Sequence, residues 1–119
     1  MTKIVLEGMT FFAYHGFYEE ERQKGNEFRV DISVSVPDYE SEEDRLSGTL
    51  NYEELYSICK NRMNESYKLL ETIAVLIKSD IFDRFAEVSS IEIRIEKLNP
   101  PIDGPVEKAA VILIQDRHN

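Results

Sequence analysis

The chain is poor in the residues that carry metal, disulfide and nucleotide chemistry. Cys59 is its single cysteine, so no intrachain disulfide can form, and a reducing compartment such as the cytoplasm is the expectation. With two histidines, His15 and His118, and that one thiol, a three-histidine or His/Cys zinc site cannot be assembled within one chain. The five glycines never gather into a phosphate-cradling loop, so no nucleotide-binding motif is present. No apolar run approaches the ~18 residues of a membrane span. In MTKIVLEGM, Glu7 interrupts what would have to be the apolar core of a leader. Positive charge is scarce too. Lys and Arg number 14 against 23 Asp and Glu, and the net charge of −9 repels nucleic acid and anionic membrane, neither of which is an expected partner.

What remains, 119 residues with 42% hydrophobic and 31% charged, is the size and balance of a globular domain. No repeat or linker divides it, so residues 1–119 read as one domain. EFRVDISVSV alternates cleanly, with Phe28, Val30, Ile32, Val34 and Val36 on one parity, and Pro37 ends it. SIEIRIEK repeats the pattern, with Ile91, Ile93 and Ile95 inward and Glu92, Arg94 and Glu96 outward, which puts Lys97 on the apolar parity. IVLEGMTFFAYHG and KAAVILIQ are two further strands. The second is apolar on both faces, which suits a central strand or one covered by another subunit.

Between the strand pairs lie two helical stretches. NYEELYSICKNRM places Tyr52, Leu55, Ile58, Cys59 and Met63 near one stripe, with Asn51 as N-cap and Glu54 as its capping-box partner. KLLETIAVLIKSDIFDRF places Leu70, Ile73, Ala74, Ile77 and Ile81 on another. The order ββααββ predicts an α+β domain, a four-stranded antiparallel sheet backed by two helices.

Several side chains admit two readings. Lys97, at the end of a strand stopped by Pro100 and Pro101, is an edge-guarding charge or a base aimed at a pocket. His15 in YHG is a hydrogen-bonded structural residue or a ligand contact. Glu71 is a boundary residue of its helix, or a half-buried carboxylate that accepts two parallel N–H donors from a planar ligand. Tyr52 is a core aromatic, or a ring that stacks on a flat ligand with its hydroxyl free for proton transfer. The run Glu19, Glu20 and Glu21 reads as solvated loop charge, as does SEEDR.

YHG at 14–16, the Glu21 to Gly25 spacing, LNY at 50–52, LLE at 69–71 and K-x-N-P-P-I at 97–102 together make the chain resemble the dihydroneopterin aldolases, from about Ile4 to about Asp116. The resemblance implies the tunnelling fold, in which four sheets join into a multi-subunit β-barrel, as a tetramer ring or as two such rings stacked in a homo-octamer, with sites between subunits. It implies a pterin substrate, with no cofactor and no metal. By the same resemblance, Glu71 anchors the pterin with the Leu70 backbone beside it. Tyr52 stacks from the adjacent subunit near the Leu50 backbone, Glu21 meets the hydroxylated side chain, and Lys97 moves protons. Asn26 and Asp103 depart from the residues common there, Gln and Pro. The implied reaction is retro-aldol cleavage of 7,8-dihydroneopterin, with 2′-epimerisation as a side activity. A dedicated epimerase of dihydroneopterin or its triphosphate, and a non-catalytic pterin- or purine-binding oligomer, are the alternatives.

Overall fold

The computed structural model describes residues 1–118. Four strands, β1 (Thr2–Ala13), β2 (Asn26–Val36), β3 (Ser90–Leu98) and β4 (Lys108–Asp116), form one antiparallel sheet in the order β1-β2-β3-β4. Helices α2 (Tyr52–Met63) and α3 (Leu70–Arg84) bridge β2 to β3 and pack on one face of it. The α+β class and strand count agree with the sequence pattern. A short helix α1 (Glu19–Lys24) joins β1 to β2 where the sequence suggested solvated loop.

The inward parity of β2 and β3 packs Phe28, Val30, Ile32, Val34, Ile91, Ile93 and Ile95 against Leu55, Cys59, Met63, Ile73, Ala74, Ile77 and Ile81 of the helices. On β1 the apolar parity changes along the strand, from Ile4 and Leu6 to Met9, Phe11 and Ala13. A regular strand would turn one of these groups toward solvent. Glu7 and Gly8 instead oppose the single residue Asp31, a bulge that restores the parity. Gly8 takes φ 73°, and its amide donates to Asp31 Oδ1 at 2.6 Å.

Three local expectations are corrected. Asn51 does cap α2, accepting from the Glu53 amide at 3.0 Å, but Glu54 turns away to pair with Arg84 at 2.9 Å, and no capping box closes there. The α2 stripe buries Leu55, Cys59 and Met63, leaves Ile58 half-buried, and exposes Tyr52, because a residue in the first turn overhangs the end of the sheet-facing stripe. The doubly apolar strand β4 is not central. It is an edge, with Ile112 and Ile114 exposed on the face away from the helices. Glu96 faces outward as expected, yet it is buried, because Arg29 of β2, Arg94 of β3 and Lys108 of β4 close over it. No helix among the described residues is long and apolar enough to cross a membrane.

Candidate active site

Strand register sets the position of Lys97. It pairs with Phe28 on one side and Ala109 on the other, so its side chain starts on the core parity at the end of the sheet. There it is 12% exposed, its ammonium 5.9 Å from the centre of the Phe28 ring. The ammonium donates to Glu21 Oε2. Asn26 fixes the strand end beside it, its side-chain amide donating to the Leu98 carbonyl at 2.8 Å.

Glu21 reaches Lys97 because α1 holds it there. Its other oxygen accepts from the Tyr18 amide at 3.3 Å, the helix-end half of a capping box, while its own amide donates to the Tyr18 carbonyl at 3.1 Å. Gly16 packs under the Glu21 side chain, and a Cβ there would run into it. Arg22 donates to the carbonyls of Gly16 and Phe17, both at 2.8 Å, and locks the loop against the helix. Burial pushes the Glu21 carboxyl up, but the Lys97 hydrogen bond, the Tyr18 amide and the charges of Lys97 and Arg22 outweigh it and hold it below the usual glutamate value. The pair is therefore a charge-assisted hydrogen bond onto an ionised carboxylate. A cleft of about 370 Å³ lined by Glu20, Glu21, Lys24, Asn26, Asn99 and Pro101 opens beside it.

The structure brings Glu21 and Lys97 together and leaves the other candidates apart from them. No hydrogen bond or ion pair among the described residues joins Tyr52 or Glu71 to that pair. Tyr52, 59% exposed, opens α2 directly after Asn51, and the buried Leu50 precedes both. Glu71 is exposed in the first turn of α3, next to the half-buried Leu70, so within one chain it is not the half-buried carboxylate the sequence suggested. His15 proves fully buried and hydrogen-bonded through both ring nitrogens. Cys59 is buried among apolar side chains, which pushes its thiol up to about 12 and leaves it inert. A second, shallower groove of about 430 Å³ between α2 and α3, lined by Glu53, Glu54, Asp80 and Arg84, contains none of the candidate side chains.

Sequence reasoning placed Arg22 near the pocket mouth as a cation but missed its role as a lock on the loop, and it missed Tyr18 altogether. The signal for them was Tyr18-x-x-Glu21 ahead of Gly25, a helix start without the customary Ser, Thr, Asp or Asn, followed by a glycine stop.

The family model for dihydroneopterin aldolase matches residues 4–114. The dihydroneopterin aldolase of Bacillus subtilis is 35% identical over 113 residues, covering 93% of this chain and 94% of that protein. The chain belongs to the dihydroneopterin aldolase family. Its fold is shared by the Escherichia coli dihydroneopterin aldolase solved in complex with neopterin, with a TM-score of 0.87 at 17% identity over 97% of this chain and 99% of the other. A Burkholderia dihydroneopterin aldolase solved with guanine superposes with a TM-score of 0.81 at 14% identity, covering 98% and 92%. At such identities these two likenesses speak for the fold alone.

Proposed function

We propose that the protein is a 7,8-dihydroneopterin aldolase that needs neither a Schiff base nor a metal. It yields 6-hydroxymethyl-7,8-dihydropterin and glycolaldehyde, a step of folate biosynthesis. The observation that carries this is the Lys97 to Glu21 hydrogen bond beside a cleft, in a chain of this family. A protein that only bound pterin would have no use for such a pair.

The substrate supplies its own electron sink. Glu71 accepts from the 2-amino and N3–H groups, with the Leu70 backbone alongside, and Tyr52 of a neighbouring subunit stacks on the ring near the Leu50 backbone. Glu21 receives the hydroxylated side chain, and Lys97, once its resting ammonium proton has passed to solvent, takes the proton of the 2′-hydroxyl as a neutral amine. As the 2′-oxygen becomes the carbonyl of glycolaldehyde, the C1′–C2′ bond breaks and its electron pair moves through C6 onto N5, forming an enamine. Return of the proton to C1′ restores the N5=C6 imine. One proton leaves oxygen and one reaches carbon, so no redox partner is needed. Arg22 is spent on two carbonyls, which leaves Lys24 as the cation lining the cleft and favours an unphosphorylated substrate over a triphosphate.

Residues 1–119 act as one domain in this reading, and the working particle is a homo-oligomer. Four sheets join through their β1 and β4 edges into a barrel, as one ring of four or as two such rings stacked. The exposed Ile112 and Ile114 of β4 and the two unpaired edges support it, since open edges and apolar sheet surface call for a cover.

Incubation with 7,8-dihydroneopterin in the presence of a chelator, followed by chromatography, tests the activity. Both products are expected in equal amounts, at a rate the chelator leaves unchanged. Binding of the pterin without either product at high enzyme concentration would reduce the protein to a binding module, and formation of the 2′-epimer alone would make it an epimerase.

A further inference from the structure

His15 is fully buried at the joint between two segments that the proposed reaction needs in fixed relation. Its Nδ1 lies 3.1 Å from the Tyr67 backbone nitrogen, and its Nε2 lies 3.0 Å from the Met63 carbonyl oxygen. A carbonyl only accepts and an amide N–H only donates. Both contacts are satisfied together in a single form of the ring, neutral and protonated on Nε2. A second proton, on Nδ1, would face the Tyr67 N–H and break that bond.

The neighbours of His15 lace the same two segments. Gly16 N donates to the Tyr67 carbonyl at 3.0 Å, and the Ser66 hydroxyl donates to the Tyr14 carbonyl at 2.5 Å. From this joint one arm runs through Gly16 and Arg22 to Glu21. The other runs from Tyr67 over three residues to Leu70 and Glu71 at the start of α3. Behind the ring, Phe28 meets His15 edge-on at 5.1 Å and carries Lys97 as its cross-strand partner.

We propose that His15 is a positioning residue: its neutral ring fixes the helix start that bears Glu71 relative to the Glu21 and Lys97 pair, and its protonation uncouples them. The inference rests on the aldolase reading for the roles of those three residues.

The groups around the ring keep it uncharged at neutral pH. Burial lowers its affinity for a proton, the Met63 carbonyl raises it in part, and the charge of Lys97 on β3 lowers it again, leaving the imidazole below its ordinary value. From β2 only the ring of Phe28 faces it. From the α2 to α3 connection comes Tyr67, stacked at 5.9 Å, its hydroxyl held by Arg62 and Glu65. From α1, Glu21 is engaged by Lys97. With the folded value lowered, the unfolded chain takes the proton first as pH falls. The His15 contribution to stability is full above about 6.5 and is lost below it.

Two measurements test the joint. Nitrogen-15 NMR of the wild-type imidazole should report the neutral Nε2–H form. The amide signals of Tyr67 and Glu71 should shift as His15 titrates, and stay still in His15→Asn, whose carbonyl can accept from Tyr67 without titrating. An Nδ1–H ring, or amides indifferent to the titration, would overturn the proposal. In kinetics with 7,8-dihydroneopterin, His15→Phe should bind the product pterin normally while kcat falls roughly 100-fold, the scale of an ångström of misplacement. His15→Asn should recover about tenfold of that, the worth of one hydrogen bond, and lose the acid limb below neutral pH. A kcat for His15→Phe that is unchanged, or that falls only with the folded fraction, would overturn it as well. If the wild-type protein does not cleave dihydroneopterin, the aldolase reading falls, and the NMR arm still decides whether the joint exists.

Discussion

Lys97 and Glu71 divide the proposed work between them, so their replacements should fail differently. Lys97→Ala removes the proton carrier and should lower kcat by roughly 10²–10⁴-fold, the usual worth of general acid–base catalysis, with pterin affinity retained. Glu71→Ala removes an acceptor of two charge-assisted hydrogen bonds and should weaken pterin binding by at least roughly tenfold. Calorimetry with the product pterin, beside steady-state kinetics, separates the two, and full activity in Lys97→Ala would remove that residue from the mechanism. The sequence showed the inward aim of Lys97 because a strand fixes side-chain direction by parity alone. It did not show that Glu71 and Tyr52 stand exposed, because both sit in first turns, where the direction of a side chain depends on where the neighbouring element ends. The locking role of Arg22 was equally hidden: its partners are main-chain carbonyls that no side-chain pattern reveals.

At the level of elements, β2, β3 and the buried stripes of α2 and α3 could be read from periodicity because each packs one face against a single core. Strand β1 is less regular, and its register depends on the bulge at Gly8. Gly8→Ala places a Cβ at φ 73°, where an L residue is strained by roughly 1–2 kcal/mol. The space around it is open enough, with the Arg29 guanidinium 3.6 Å away, so the loss should come from the backbone and not from a clash. Urea unfolding should show that loss with an unchanged m-value. A variant as stable as wild type would mean the bulge relocates. Helix α1 escaped sequence reasoning because six residues carry no measurable period, and their carboxylates look solvated until Glu21 meets Lys97.

The whole chain, at a Cα radius of gyration of 15.8 Å, is more drawn out than the roughly 13.5 Å expected of a compact domain of this length. Its sheet ends in two unpaired edges, and Ile114 on β4 is 70% exposed. If rings form and sites are shared, two inactive variants should rescue each other. Co-expressed Tyr52→Ala and Lys97→Ala chains, mixing at random, should regain about a quarter of wild-type activity, because one neighbour supplies what the other lacks. Activity no higher than that of either variant alone, in particles shown to contain both, would place the whole site within one chain. The sequence by itself determined the α+β class, the strand parity that buries Lys97, and the family, because these follow from periodicity and from short motifs along the chain. The resemblance already set Glu21 beside Lys97; only the tertiary structure decided that the two bond directly, that His15 ties their segment to the start of α3, and that β4 is an edge. Those contacts join residues up to 76 positions apart, and sequence spacing does not state which of them folding brings together.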